Sequence, residues 1–248
     1  MMAYENGEWI MRGVPDSDPD CIRTPDALLR FIDEVGFLPL FRNSLPGFSV
    51  EERTDPRYWW TEGPRDPWEW RMTLAAGGKV AYGKFFDRKA GFISLRWLPR
   101  FANWRRDGYD FDALWDEGKA GHRAKKIMDL FQDGRRLFSF EAKQAAGFGP
   151  EGEKNFEGAL TDLEMQTYLV MSDFQQRRNR AGQPYGWHIA LLAAPETVWG
   201  RDVVAAAYGE DPAESRAQVL AQIRRSFPGG TEAQLNKIMK WRPTADAR

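Results

Sequence analysis

The clearest periodicity in the chain runs from Ala120 to Ala193. Ala124, Ile127, Met128 and Phe131 recur at i, i+3, i+4 and i+7, which predicts a helix with one buried face that ends near Gly134. Ser139 suits the cap of a short second helix, "FEAKQAAG", closed by Gly147. Phe156, Ala159, Leu160 and Leu163 repeat the helical spacing once more. The period then drops to two. "TYLVMSDF" reads as a strand, Arg177 to Pro184 as a turn, and "YGWHIALLA" as a returning strand with Tyr185, Trp187, Ile189 and Leu191 on one face. Three short helices followed by a β-hairpin is the order of a winged helix-turn-helix domain.

The flanking segments are patterned as well. In "TPDALLRFIDEVGF", Thr24 suits the N-cap, Pro25 the first helical position, and Leu28, Leu29, Phe31, Ile32 and Val35 a buried stripe ended by Gly36. A Trp-rich stretch, "RYWWTEGPRDPWEWR", precedes "KVAYGKFFDRKAGFISLRWLP", which reads as two strands joined at Asp87 to Gly91. Trp59, Trp60, Trp68 and Trp70 fit two readings, core packing or a platform for stacking bases. After the hairpin, Pro195 opens a helix through "PETVWGRDVVAAAY". Asp211, Pro212 and Glu214 start another helix, with Val219, Leu220, Ile223 and Phe227 as its stripe, and Thr231 with Gln234 forms a capping box for the last. The fold class is therefore α+β. We expect a region over 1–116 with a basic hairpin, a winged helix-turn-helix over 117–194, and C-terminal helices over 195–248, packed as one body.

Composition adds limits. At 248 residues and 42% hydrophobic, the chain is long enough to bury a core. Its longest apolar runs, such as Ile189 to Ala194, fall far short of the roughly 20 residues that span a bilayer, and the N-terminus has no signal-peptide pattern. The expected location is the cytoplasm, with no membrane partner. Cys21 is the only cysteine, so no internal disulfide forms, and His122 and His188 lack a zinc-site spacing. Neither a metal nor a cofactor is implied.

The net charge of -1 hides an uneven distribution. Residues 1–55 carry 11 acidic and 5 basic side chains, whereas 84–106 carry Lys84, Arg88, Lys89, Arg96, Arg100, Arg105 and Arg106 against Asp87 alone. Such a run is either a polyanion-binding face or a solvated surface. The third helix of the winged region is acidic: 150–166 holds Glu151, Glu153, Glu157, Asp162 and Glu164 against Lys154. Because phosphate neutralisation supplies most non-specific affinity, that helix is a poor fit for the major groove. Arg177, Arg178 and Arg180 lie instead on the hairpin turn, where Gly182 permits a tight bend. They can track a phosphate backbone or simply keep the tip soluble. The candidate nucleic-acid contacts are Lys84, Arg88, Lys89, Arg177, Arg178 and Arg180.

Taken in order, the helix ending "EVGFLPLF", the segment "DPWEWR", the hairpin "YGKFFDRKAGFIS", then "RRDGYDFDALWDEG" and the winged region resemble the AlkZ (YcaQ-like) winged-helix DNA glycosylase superfamily, in particular its AlkZ-related branch. The resemblance covers about Thr24 to Ala193. It implies DNA as a partner and a role in repair. Catalytic members of the superfamily use a Gln-x-Gln or Gln-x-Asp motif after the first helix to position water, but the matching positions here are Phe37, Leu38 and Pro39. No catalytic residue carries over.

Glu62, Asp66 and Glu69 lie among tryptophans, and fit either a general acid or base near an apolar wall or helix caps and ion pairs with Arg65 or Arg71. The expected function is nucleic-acid binding. The alternative is a protein-interaction module that uses the acidic helix without DNA.

Overall fold

Thr24 accepts a hydrogen bond from the Ala27 N–H at 3.1 Å, and Pro25 needs no N–H partner, so helix α1 starts there and spans Pro25–Val35. It buries Leu28, Ile32 and Val35, and ends where Gly36 takes φ +87°. The computed structural model describes residues 3–5 and 8–241. Two short strands, β1 (Ala3–Glu5) and β2 (Glu8–Ile10), pair antiparallel ahead of α1.

Next comes a three-stranded antiparallel sheet of β3 (Phe37–Pro39), β4 (Val80–Phe86) and β5 (Lys89–Ser94), in the order β3-β5-β4. The β4–β5 turn is Asp87 and Arg88 alone, both at positive φ, as a two-residue type I′ hairpin requires. The turn predicted over Asp87 to Gly91 is longer than the observed one, because Lys89, Ala90 and Gly91 already belong to β5. At Gly91 a Cβ would lie 2.6 Å from the Pro39 Cα, so only glycine lets β3 approach this closely.

Helix α2 (Pro67–Ala76) lies between these strands in sequence. After them come α3 (Leu98–Arg106), α4 (Phe111–Asp116) and α5 (His122–Met128). Beyond α5, a kinked 3₁₀ stretch with Asp133 at φ +63° reaches Gly134. A two-residue strand, β6 (Leu137–Phe138), leads into α6 (Ser139–Ala145). Phe138 takes the cap position expected of Ser139, and its N–H donates to Glu141 Oε2 at 3.1 Å. Helix α7 (Phe156–Met165) precedes the long strands β7 (Val170–Arg178) and β8 (Pro184–Ala193), which form a second antiparallel sheet with β6 in the order β6-β8-β7.

The single helix expected from Pro195 is broken at Gly200 (φ +85°, ψ +151°) into α8 (Pro195–Trp199) and α9 (Arg201–Val204). Helices α10 (Pro212–Ser226) and α11 (Glu232–Ile238) complete the chain, and the Thr231–Gln234 capping box forms as expected. Among the described residues, no helix is long and apolar enough to cross a membrane.

Two hydrophobic clusters result. One gathers α1, the first sheet and α3 with Val219, Leu220, Ile223, Leu235 and Ile238 of α10 and α11. The other gathers Phe111, Ile127, Phe131, Phe156, Leu160, Leu163, Tyr168 and Leu192, and Met171 packs against both. The tryptophans divide between the two readings: Trp59 and Trp70 are core, Trp68 is half-buried against Phe41, and Trp60 is exposed at φ +60°.

Candidate nucleic-acid interface

The acidic helix α7 faces the β4–β5 hairpin. Glu164 is fully buried; its Oε1 accepts from the Lys84 backbone N–H at 3.3 Å, and its Oε2 lies 3.4 Å from Lys84 Nζ. Arg88 donates to Asp162 at 2.7 Å, and its backbone N–H points at Met165 Sδ, which fixes the positive-φ turn on the helix. Two of the helix's five nearby carboxylates are thus met by the chain's own basic hairpin. Glu153 pairs with Arg123 and Lys126, and Glu157 remains exposed near Lys143.

Burial pushes the Glu164 carboxyl above the ordinary glutamate range, and Lys84 only partly offsets this. A glutamate with a raised folded pKa holds its proton longer in the native state, so its unfavourable contribution grows as pH rises through the window above the ordinary value. Relative to the parent protein, Glu164→Gln should therefore be more stable near pH 7 than near pH 4.5, as read by urea denaturation at both. The opposite trend would mean that the Lys84 attraction outweighs burial.

The rest of the basic run is largely occupied. Arg96 donates to the Asp33 carbonyl, Arg100 pairs with Glu210, and Arg106 pairs with Glu196. Arg105 is buried among Phe101, Trp104 and Trp241 and donates to the Phe85 and Met239 carbonyls. Lys89, on β5, is half-buried and has no acidic partner among the described residues.

The β7–β8 hairpin is different. Its base is anchored by buried Val170, Leu192 and Ala193, but beyond Gln176 it is exposed. Asn179 Oδ1 accepts from the Ala181 and Gln183 N–H groups, and Gly182 at φ +77° closes the turn. Arg178 is held by the Gly182 carbonyl at 2.8 Å, Arg177 lies 4.4 Å over the Phe140 ring, and Arg180 stands at the tip. None of the three has a carboxylate partner among the described residues.

The period-two pattern predicts that Tyr185, Trp187, Ile189 and Leu191 share one face. The strands depart from that pattern. Gln175 pairs with Ile189 and Arg177 with Tyr185, leaving one residue on β7 opposite Gly186, Trp187 and His188 on β8. Gly186 takes φ +73°, its carbonyl accepts from Gln176, and Trp187 is pushed outward to 81% exposure. A second shift at Met171/Asp173 turns Leu192 inward in place of Leu191. Tyr185 and Phe140 are also exposed and line one cleft with Arg177 and Arg178, whereas Trp187 lines another. The missed residue is Trp187; a glycine inside a strand pattern, Gly186, was the available sign of a bulge.

A cleft lies on each side of the hairpin. One, of about 440 Å³, holds Phe138, Phe140, Arg177, Arg178 and Tyr185. The other, of about 410 Å³, brings Glu62 and Glu69 opposite Gln176, Trp187 and His188. Asp66 is not part of it. Its Oδ1 caps α2 by accepting from the Trp68 N–H at 2.8 Å, and its Oδ2 accepts from the Glu62 N–H at 3.0 Å. Arg65 pairs with Asp16, and Arg71 stacks on Trp68 and Phe174 while attracting Glu69 at longer range. Among the described residues, no three His, Cys, Asp or Glu side chains could hold a metal ion.

Comparison with known proteins gives a family match over most of the chain. A family model described as AlkZ related matches residues 22–240. No curated protein matches. Among solved structures, Streptomyces sahachiroi DNA glycosylase AlkZ is similar at 13% identity and a TM-score of 0.41, over 89% of this chain and 60% of that protein. The chain thus spans about 60% of the length of that glycosylase.

Proposed function

The chain belongs to the AlkZ-related family, and from that premise we propose that it binds DNA through the β7–β8 hairpin in a repair-related role. In this reading α5, α6 and α7 with β6, β7 and β8 are a winged helix-turn-helix over 117–194, and the hairpin is its wing. The region 1–116 and the helices of 195–248 form the body that carries it. The observation that carries the proposal is the exposed hairpin whose Arg177, Arg178 and Arg180 lack carboxylate partners among the described residues, with Arg177 over the exposed Phe140 ring and Trp187 turned outward farther along β8. Guanidinium groups suit phosphate oxygens, and an open indole offers a stacking face to a base.

Helix α7 is not the reading helix in this proposal, since it is acidic and covered by β4 and its turn. The same cover takes up Asp162, one of the two residues a protein partner of this helix would use, and leaves the other, Glu157, exposed. Lys84 and Arg88 therefore become positioning residues for the acidic helix, while Lys89 is retained as an outer phosphate contact. Phe37, Leu38 and Pro39 form the buried strand β3, so the superfamily's water-positioning role is assigned to no residue there.

The test is fluorescence anisotropy with duplex, single-stranded and abasic-site DNA at two salt concentrations. We expect binding that weakens as a power of salt. Absence of binding at low salt would refute the proposal.

A further inference from the structure

A separate cleft of about 600 Å³ opens where α1, α3 and α10 meet, and its walls are rich in arginine: Arg53, Arg96, Arg100 and Arg225. Glu34 is the sole carboxylate residue lining it. Arg100 is neutralised by Glu210 at 2.7 Å, but Arg53, Arg96 and Arg225 have no carboxylate partner among the described residues. Two of these are held in place by groups that leave the charge unmet: Arg53 lies 5.2 Å over the Phe31 ring, and Arg96 donates to the Asp33 carbonyl at 3.0 Å.

The bland explanation is that these cations neutralise the carbonyl ends of α1 and α10. It accounts for Arg96 and Arg225 but not for Arg53, and Gln222 Nε2 already donates to the Glu34 and Val35 carbonyls at the end of α1, both at 3.2 Å. Arg225 lies in the last turn of α10 and serves that end, but Arg53, whose Nε donates to the Gly47 carbonyl at 3.4 Å, belongs to neither helix. In addition, the indole Nε1 of Trp97, a cleft-lining residue, is buried without any hydrogen-bond acceptor. A site with three guanidinium groups that lack carboxylate partners among the described residues, an unmet N–H donor and one carboxylate is complementary to a phosphate group, which offers several strong acceptor oxygens.

We propose that this cleft binds a phosphate-bearing ligand, with Arg53, Arg96 and Arg225 on its oxygens. The ligand is either a free nucleotide or a stretch of nucleic-acid backbone. The inference does not depend on the hairpin, with which the cleft shares no residue.

The experiment uses the full chain, its Arg96→Glu/Arg225→Glu variant, and the Arg177→Ala/Arg178→Ala/Arg180→Ala variant. Thermal melts verify that each is folded; Arg96 and Arg225 are exposed, so their reversal should leave the fold intact. Each protein is titrated by calorimetry with dAMP and with inorganic pyrophosphate, and by anisotropy with a labelled duplex. Saturable dAMP or pyrophosphate binding, weakened at least about tenfold by the cleft reversal and unchanged by the hairpin variant, identifies a free nucleotide site. No small-ligand binding, but duplex binding with a shallower salt slope in the cleft variant, identifies backbone phosphate. If the cleft reversal alters neither, the arginines serve the helix ends only and the proposal is overturned. Loss of duplex binding in the hairpin variant alone bears on the hairpin and leaves these readings distinct.

Discussion

Replacing Arg106 by methionine should cost the fold about 3–5 kcal/mol, the loss typical of breaking a buried ion pair from one side. Arg106 ends α3 and is 2% exposed. Its Nη1 donates to Glu196 Oε1 at 2.5 Å and to the Tyr208 hydroxyl at 2.8 Å, its Nη2 donates to the Thr167 carbonyl at 2.6 Å, and the guanidinium lies over the Tyr168 ring. Burial alone would lower its pKa, but Glu196 and Tyr208 more than compensate, so the group stays protonated above its ordinary range. One side chain therefore joins α3, the lead into β7, and α8 with the segment after α9. Methionine fills similar volume but leaves the Thr167 carbonyl without its donor and Glu196 without its cation. Since small domains are stable by only about 5–15 kcal/mol, urea denaturation should show a midpoint moved far down with little change in slope. The control is Arg88→Met, whose half-exposed pair with Asp162 should cost no more than about 1 kcal/mol. A shift at Arg106 as small as that of the control would show that the buried network is dispensable.

Arg106 also illustrates how far a sequence can be read. In linear order it belongs to a basic run that suggests a polyanion face, yet most members of the run are engaged by groups remote in sequence: Glu164, Asp162, Glu210 and Glu196. No local pattern announces such pairs. The acidic character of α7 and the basic character of the β4–β5 hairpin were each legible, but their mutual neutralisation was not. Elements governed by local chemistry fared better. The Thr24 and Thr231 caps, the Gly36 stop and the helix-helix-helix-hairpin order follow from spacing and turn residues. Register failed where the chain is not periodic: the one extra residue at Ser172 reverses the side chains beyond it, and the three-against-one bulge at Gly186–His188 turns Trp187 outward. The three hairpin arginines could be picked out because turn chemistry placed them, whereas the outward turn of Trp187 could not.

The hairpin prediction turns that difference into a measurement. If Arg177, Arg178 and Arg180 each meet a phosphate, converting all three to alanine should lower the slope of log affinity against log salt by about 2.7 for duplex DNA, at roughly 0.9 per contact. Binding near physiological salt should fall by about two orders of magnitude, since a loss of about 1 kcal/mol per contact accumulates over three. Trp187→Ala should behave differently. Its loss of base stacking, worth about 1–3 kcal/mol, lowers affinity by roughly 5- to 150-fold while leaving the salt slope in place. Trp187→Phe should restore part of that loss, because a smaller ring still stacks. At 81% exposure, Trp187 contributes little to the core, so melting temperature should hardly move and lost binding cannot be ascribed to unfolding. Arginine and tryptophan variants that bind as tightly as the parent, with the same slope, would remove the hairpin from the interface. A slope change without a Trp187 effect would keep the hairpin on the backbone and withdraw only the stacking contact.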